Sequence, residues 1–187
     1  VFARFPASEQ AQKALYSASW TYMDMEQEQA SIESMERLVA SYPKSGYARY
    51  AQFSIGDYYY SKKEYEKALA AYQKVTTLFP DTQEAGKAVS LLADLEEDLA
   101  SLEYDRVFAH FDQGNYAVAV RGFESIYESY PESYSALAAL ANTGVALEHL
   151  GNSEKARLTY EKVLSVAADR PENGNIAKFA QLRLENL

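Results

Sequence analysis

Tyr42-Pro43-Lys44-Ser45 is followed by GYARYAQFSIGDYYYSKKEYEKALAAYQKVTTL (residues 46–78) and then by Phe79-Pro80-Asp81-Thr82. The opening and closing phrases share one form: an aromatic residue, proline, any residue, a hydroxyl side chain. Proline lacks an N–H and restricts the residue before it, so it ends a helix. A Ser or Thr two places later accepts from free backbone N–H groups and starts the next one. In the Phe79 copy, Asp81 with Glu84 offers a capping box as an alternative. Working outward, the phrase recurs at Phe5-Pro6-Ala7-Ser8 and Tyr130-Pro131-Glu132-Ser133, giving spacings of 37, 37 and 51 residues. The fifth proline, Pro171, comes 40 residues after Pro131 and has Asn173 two places on.

The flanks keep the same period. Five and eight residues after each of the four phrase prolines stand Ala11 and Ala14, Ala48 and Ala51, Ala85 and Ala88, Ala136 and Ala139. Thirteen residues after it the side chain is small again: Ser19, Gly56, Ala93, Gly144. Before the proline come Ser31, Ala68 and Ala119, then Met35, Tyr72 and Phe123, then Leu38, Val75 and Ile126. Spacings of three and four define one helix face, and small residues on it admit a close neighbour. No segment alternates as a strand would. The expectation is an all-α chain.

Gly56, Tyr59, Ala68, Tyr72 and Pro80 fit the pattern G-x2-Y, A-x3-F/Y, P, and Gly144, Ala156 and Tyr160 fit it again. Along nearly its whole length the chain therefore resembles tetratricopeptide-repeat proteins. The aromatic-Pro-x-Ser phrase, with periods above 34, is similar to the bacterial envelope branch of that family. That branch includes the lipoprotein D subunit of the outer-membrane barrel-assembly machine and the periplasmic Tol-Pal cell-division coordinator. The resemblance implies an α-solenoid of antiparallel helix pairs, a right-handed superhelix, over residues 1–187 as part of a longer array. Its units are expected at 8–43, 45–80, 82–131 and 133–171, with a last helix at 173–187. The third unit exceeds the first two by 14 residues, about four helical turns, so one overlong or broken helix is expected over 82–113.

Composition narrows the function. Of 187 residues, 18 are Lys or Arg and 27 are Asp or Glu, a net charge of −9 that repels phosphate. Nucleic acid and anionic lipid are not expected partners. Without cysteine there is no disulfide, thiolate metal site or cysteine nucleophile. No apolar run is long enough to span a membrane, and no signal-peptide pattern opens the sequence. The lipid-bearing cysteine of the lipoprotein relatives is absent, so the resemblance does not carry over membrane anchoring. His110 and His149 lack partner spacing for catalysis, and no nucleotide, hydrolase or zinc motif occurs. The acidic runs at Asp24, Glu26 and Glu28 and at Glu96, Glu97 and Asp98 lack the ligand rhythm of a calcium loop. No enzyme activity, cofactor or metal is expected.

The aromatics remain: 16 Tyr, 8 Phe and 1 Trp. In tetratricopeptide proteins the first helix of each pair lines a concave groove, and five of its positions face a bound partner. By that resemblance the groove is Tyr50, Phe53, Asp57, Tyr60 and Ser61, preceded by Lys13, Tyr16, Trp20, Met23 and Asp24. Large rings carry disproportionate binding energy, and the competing reading is that several simply pack between helices. Tyr16 with Trp20, and Phe53 with Asp57, stand where chaperone-binding relatives place Lys and Asn for an acidic tail. A peptide with apolar anchors and a basic residue fits better. In the fourth unit the same positions hold Ala138, Ala141, Val145, Glu148 and His149, a smoother surface. The expected function is a protein-interaction scaffold in envelope assembly or maintenance, periplasmic or envelope-associated. The alternatives are a cytoplasmic location and a self-assembly or spacer role, with Phe2 and Phe5 recruiting another copy.

Overall fold

The computed structural model describes residues 8–187, so Phe2 and Phe5 lie outside the described residues. Among those residues there are nine α-helices, one short 3-10 turn and no strand. The contacts divide the chain into two compact units, one running to Leu95 and the other beginning at Glu96. The first unit holds α1 (Glu9–Asp24), α2 (Glu28–Ser41), α3 (Gly46–Ser61), α4 (Tyr65–Leu78) and the opening of α5 (Gln83–Asp112). The second holds the rest of α5, α6 (Tyr116–Ser129), α7 (Tyr134–His149), α8 (Ser153–Ala168) and α9 (Gly174–Glu185). Pro171–Asn173 forms the 3-10 turn.

The repeated phrase does what its chemistry dictates. Ser8, Ser45 and Ser133 accept from the backbone N–H of Ala11, Tyr47 and Ala136. At the third copy the cap is Thr82, accepting from Ala85 N–H at 3.2 Å, and Glu84 is engaged elsewhere. Tyr42, Phe79 and Tyr130 close α2, α4 and α6, each donating its N–H back to the carbonyl four residues earlier. Between paired helices the chain reverses through one left-handed residue. Gly114 (φ 78°) and Gly151 (φ 72°) take that place in the second unit, Glu26 and Lys63 (φ 59° each) in the first. Connections this short force antiparallel neighbours. In the first unit α1 packs on α2, α3 on α4, and α3 against both α1 and α2. In the second, α7 packs on α6 and α8, and α9 on α7 and α8.

The repeated apolar and small positions form the core. Ser31, Ala68, Ala119, Met35, Tyr72, Phe123, Leu38, Val75 and Ile126 are all at most 1% exposed. The closest fit is between a glycine and a ring. A methyl group at Gly56 would lie 2.4 Å from the Tyr72 ring, and one at Gly144 would lie 2.5 Å from that of Tyr160. In these two pairs, α3–α4 and α7–α8, glycine lets the second helix bring its tyrosine ring against the first. Each buried hydroxyl then finds a carboxylate on that first helix: Tyr72 donates to Asp57 at 2.6 Å and Tyr160 to Glu148 at 2.5 Å. In the first pair Met35 replaces the ring, and Ser31 donates to the Ser19 carbonyl at 2.8 Å.

The α5–α6 pair inverts this fit. Counted back from Pro131, the glycine position is Val107, and the glycine has moved to Gly122 on the facing helix, where a methyl would lie 2.6 Å from Val107. Phe123 packs instead with Tyr104 and Phe111, at 5.5 and 6.3 Å between ring centres. Ala93, the small residue expected at this contact from the Pro80 side, is exposed. The reason is the extra 14 residues: α6 lies on the later part of α5. That helix is continuous over 30 residues. Its opening packs with Ala68, Tyr72 and Val75 in the first unit, and its closing half with Ala119, Phe123 and Ile126 in the second.

Two consequences are measurable. The buried Tyr72 and Tyr160 rings have nowhere to move, so Gly56→Ala and Gly144→Ala each lower stability in urea unfolding by about 1–3 kcal/mol. Gly86→Ala, in a helix with nothing within 4 Å of the added methyl, raises it by up to about 1 kcal/mol. Burial pulls Glu148 upward, but the hydrogen bonds from Arg183 and Tyr160 outweigh it and hold Glu148 below the ordinary glutamate value. A carboxyl depressed in the folded state adds stability when ionised, and that increment disappears as pH falls through its folded value. Glu148→Gln therefore lowers stability at pH 7 and flattens its decline below about pH 5, read from unfolding curves across pH.

Candidate partner-binding surfaces

Two first helices, α1 and α3, lie side by side and bring four rings together. Tyr16 and Trp20, one turn apart on α1, meet edge to face at 6.2 Å between ring centres. From α3, Tyr47 and Tyr50 approach the Tyr16 ring at 5.6 and 6.5 Å. Trp20 is 42% exposed and Tyr50 43% exposed, although each keeps a ring contact to Tyr16. Arg49 fixes Tyr50: its guanidinium lies 4.8 Å from the ring centre and donates to the hydroxyl at 3.1 Å. Arg49 is itself held by Glu84 of α5, Nε to Oε2 at 2.7 Å. That is ion-pair distance without hydrogen-bond alignment, and both atoms are buried. The pair spans 35 residues of sequence, beyond any helical spacing.

The other expected groove residues take different places. Met23 is half-buried and Asp24 exposed at the end of α1. Phe53 turns inward, half-buried, its ring 5.5 Å from Tyr72. Asp57 accepts the Tyr72 hydroxyl. Desolvation raises its carboxyl above the ordinary aspartate value, against the pull of that hydrogen bond and of Lys87. Tyr60 is 40% exposed and packs on Tyr65 at 5.9 Å. Lys13 and Ser61 are exposed. So Tyr16, Trp20 and Tyr50 form one patch, while Phe53 and Asp57 serve the ring lock.

One member of each acidic run has a structural role, Glu28 in the first and Glu97 in the second. Glu28 accepts from Tyr58 at 3.0 Å and Lys62 at 2.6 Å, tying the start of α2 to the end of α3. Those hydrogen bonds hold its carboxyl below the ordinary value. Glu97 accepts from the backbone N–H of Tyr134 at 2.7 Å and from the Ser135 hydroxyl at 2.5 Å, capping α7 from outside. Among the described residues no group of three or more His, Asp or Glu is placed to hold a metal ion. His149 stacks on Tyr116 at 4.2 Å with Phe111 at its edge, a packing role.

The second unit holds a surface that the sequence conceals. Between α7 and α9 opens an apolar cleft of about 220 Å³, floored by Ala138 and Ala141 and walled by Tyr134 and Phe179, with Asn142 and Asn175 at its edge. The row of alanines reads as smoothness in sequence. The cavity arises because Phe179 and Ile176 of α9 stand opposite it, and the late proline, Pro171, obscures the α9 register.

Among the described residues no helix is long and apolar enough to cross a membrane. No curated protein sequence matches the chain. Residues 2–163 match the family model YfiO, outer membrane lipoprotein. Helix pairs of tetratricopeptide type and a match over most of its length show that the chain belongs to the YfiO outer membrane lipoprotein family, proteins of the bacterial cell envelope that act through protein partners.

Proposed function

We propose that this chain is a non-catalytic scaffold whose Tyr16–Trp20–Tyr50 patch binds a protein segment carrying apolar anchors and a basic residue, in assembly or maintenance of the envelope. One observation carries the reading: large rings are held in fixed positions yet left open to solvent. Interface energy concentrates in such rigid aromatic anchors because ordering them costs little on binding. The Arg49–Glu84 pair supplies the rigidity for Tyr50. Exposed Asp24, beside Met23 and one turn beyond Trp20, supplies a partner for a basic residue, and the net charge of −9 favours cationic segments at long range.

Trp20 is the sole tryptophan, so its emission reports on this patch alone. Peptides selected from a random library on the intact chain are expected to combine large apolar side chains with Lys or Arg and to shift that emission. The double variant Trp20→Ala/Tyr50→Ala, both at exposed positions, is expected to weaken them at least tenfold with helicity unchanged. Selected peptides that bind the double variant as tightly as the parent overturn the reading.

A second reading, self-assembly, draws support from the outer face of α1 and α2. A niche of about 300 Å³ there is bounded by Leu15, Ala18, Tyr22, Ser34 and Arg37. Thirty-seven residues on, Gln52, Ile55, Tyr59, Ala71 and Lys74 bound the corresponding niche, where Glu36 of α2 joins the lining. One residue of α2 thus borders that surface within the first unit, and on this reading the α1–α2 niche takes a helix from a second copy. Light scattering over a concentration series decides this: mass rising with concentration is expected, and a strict monomer at every concentration retires it.

A further inference from the structure

The first helices of successive pairs meet in a cleft, and the chain shows what fills one. Tyr16 stands three residues before the small Ser19, and its ring occupies the space between α1 and α3 against Tyr47 and Tyr50. Ala141 stands in the same place on α7, three residues before Gly144. With a methyl group where the first unit has a phenol, the space between α7 and α9 stays open, about 220 Å³. A cavity of roughly 150 Å³ already accommodates benzene, so the room suits one aromatic side chain.

We infer that the α7–α9 cleft is a second binding site, a receptor for a single aromatic side chain presented by a partner peptide. The lining identifies the ligand class. Its floor is Ala138, Ala141 and Ile176, and its walls are two rings, Tyr134 at 48% and Phe179 at 38% exposure. None of the residues bounding it is charged, although 24% of the chain is. A charged side chain entering here loses its hydration and gains no counter-charge. An aromatic one gains edge and face contacts with both walls. The carboxamides of Asn142 and Asn175 offer donors and acceptors to the peptide main chain beside the anchor. Asn142 is steadied by donating to the Tyr104 hydroxyl at 2.5 Å. The phenylalanine wall is braced in turn: Phe179 meets the buried Tyr160 edge to face at 6.4 Å.

N-acetyl-phenylalaninamide is the direct probe, titrated into the intact chain and followed by amide NMR shifts. It is expected to move the amides of Ala138, Ala141, Asn142, Asn175 and Phe179, with half-saturation on the order of 1 mM for a ligand of that size. N-acetyl-leucinamide and N-acetyl-lysinamide are expected to bind at least fivefold more weakly. Ala141→Phe refills the cleft with the chain's own ring, as Tyr16 does in the first unit, and is expected to cut affinity at least tenfold. Should that variant lose its helical signal, Phe179→Ala serves in its place, with an expected loss of threefold or more. Trp20→Ala is expected to leave the titration unchanged, which separates this site from the α1–α3 patch. Absent shifts at these amides, equal response to the leucine or lysine probe, or unaltered binding in the folded Ala141→Phe or Phe179→Ala chain each overturn the assignment.

Discussion

A tyrosine ring set against a glycine is the constraint that fixes two of the four helix pairs, and the other two pairs vary the same contact between a small and a large side chain. Helices packed through side chains alone stand 8–10 Å apart with their faces averaged over many contacts. At Gly56 and Gly144 the missing side chain lets a whole ring settle against the facing backbone, which fixes both the spacing and the register of the pair. The hydroxyl of that ring must then be satisfied, because a buried donor without an acceptor is costly. Asp57 and Glu148 supply the acceptors from different turns of their helices. Desolvation and those carboxylates push both phenols well above their ordinary values, so they remain donors. At Glu148 the acceptor also binds Arg183 of α9 through two nitrogens, one at 2.9 Å, so one carboxylate links three helices.

Most of this architecture is legible in the amino-acid order, because each signal acts locally. A proline stops a helix and a hydroxyl starts the next within four residues, and the helix faces obey spacings of three and four. The signals that fail do so where two distant segments decide together. Counting forward from Pro80 points to Ala93 and counting back from Pro131 points to Val107. Only the packing of α6 shows that the second register is used and that Gly122 yields the space. Asp57 looks like a groove residue by position and is exposed, yet its carboxylate is engaged by a tyrosine 15 residues later. The Arg49–Glu84 pair joins two helices at a spacing of 35 residues, which the 37-residue repeat does not single out. The α7–α9 cleft is an empty volume, and residue identities in one helix do not encode a volume whose far wall belongs to another.

The same position is thus used differently along one chain, with Phe53 turned onto Tyr72 in the second pair. Filled by Tyr16, it builds a continuous aromatic sheet whose outer rings, Trp20 and Tyr50, face solvent. Vacated by Ala141, it leaves a hole with aromatic walls. On the reading proposed above, one surface projects anchors and the other receives one. On that reading a single repeated scaffold yields two distinct recognition chemistries through the choice of side chain at one position.

The length of α5 carries an evolutionary consequence. A helix turns about 100° per residue, so the azimuth at which the stripe of Val107, Phe108 and Phe111 meets α6 is set by how many residues of α5 precede it. Gain or loss of about 7 or 11 residues returns the stripe close to its starting azimuth, whereas a change of 2 sends it to the opposite side. Natural variation along this helix is therefore expected to be quantised, with relatives shorter or longer in α5 differing by near-whole turns.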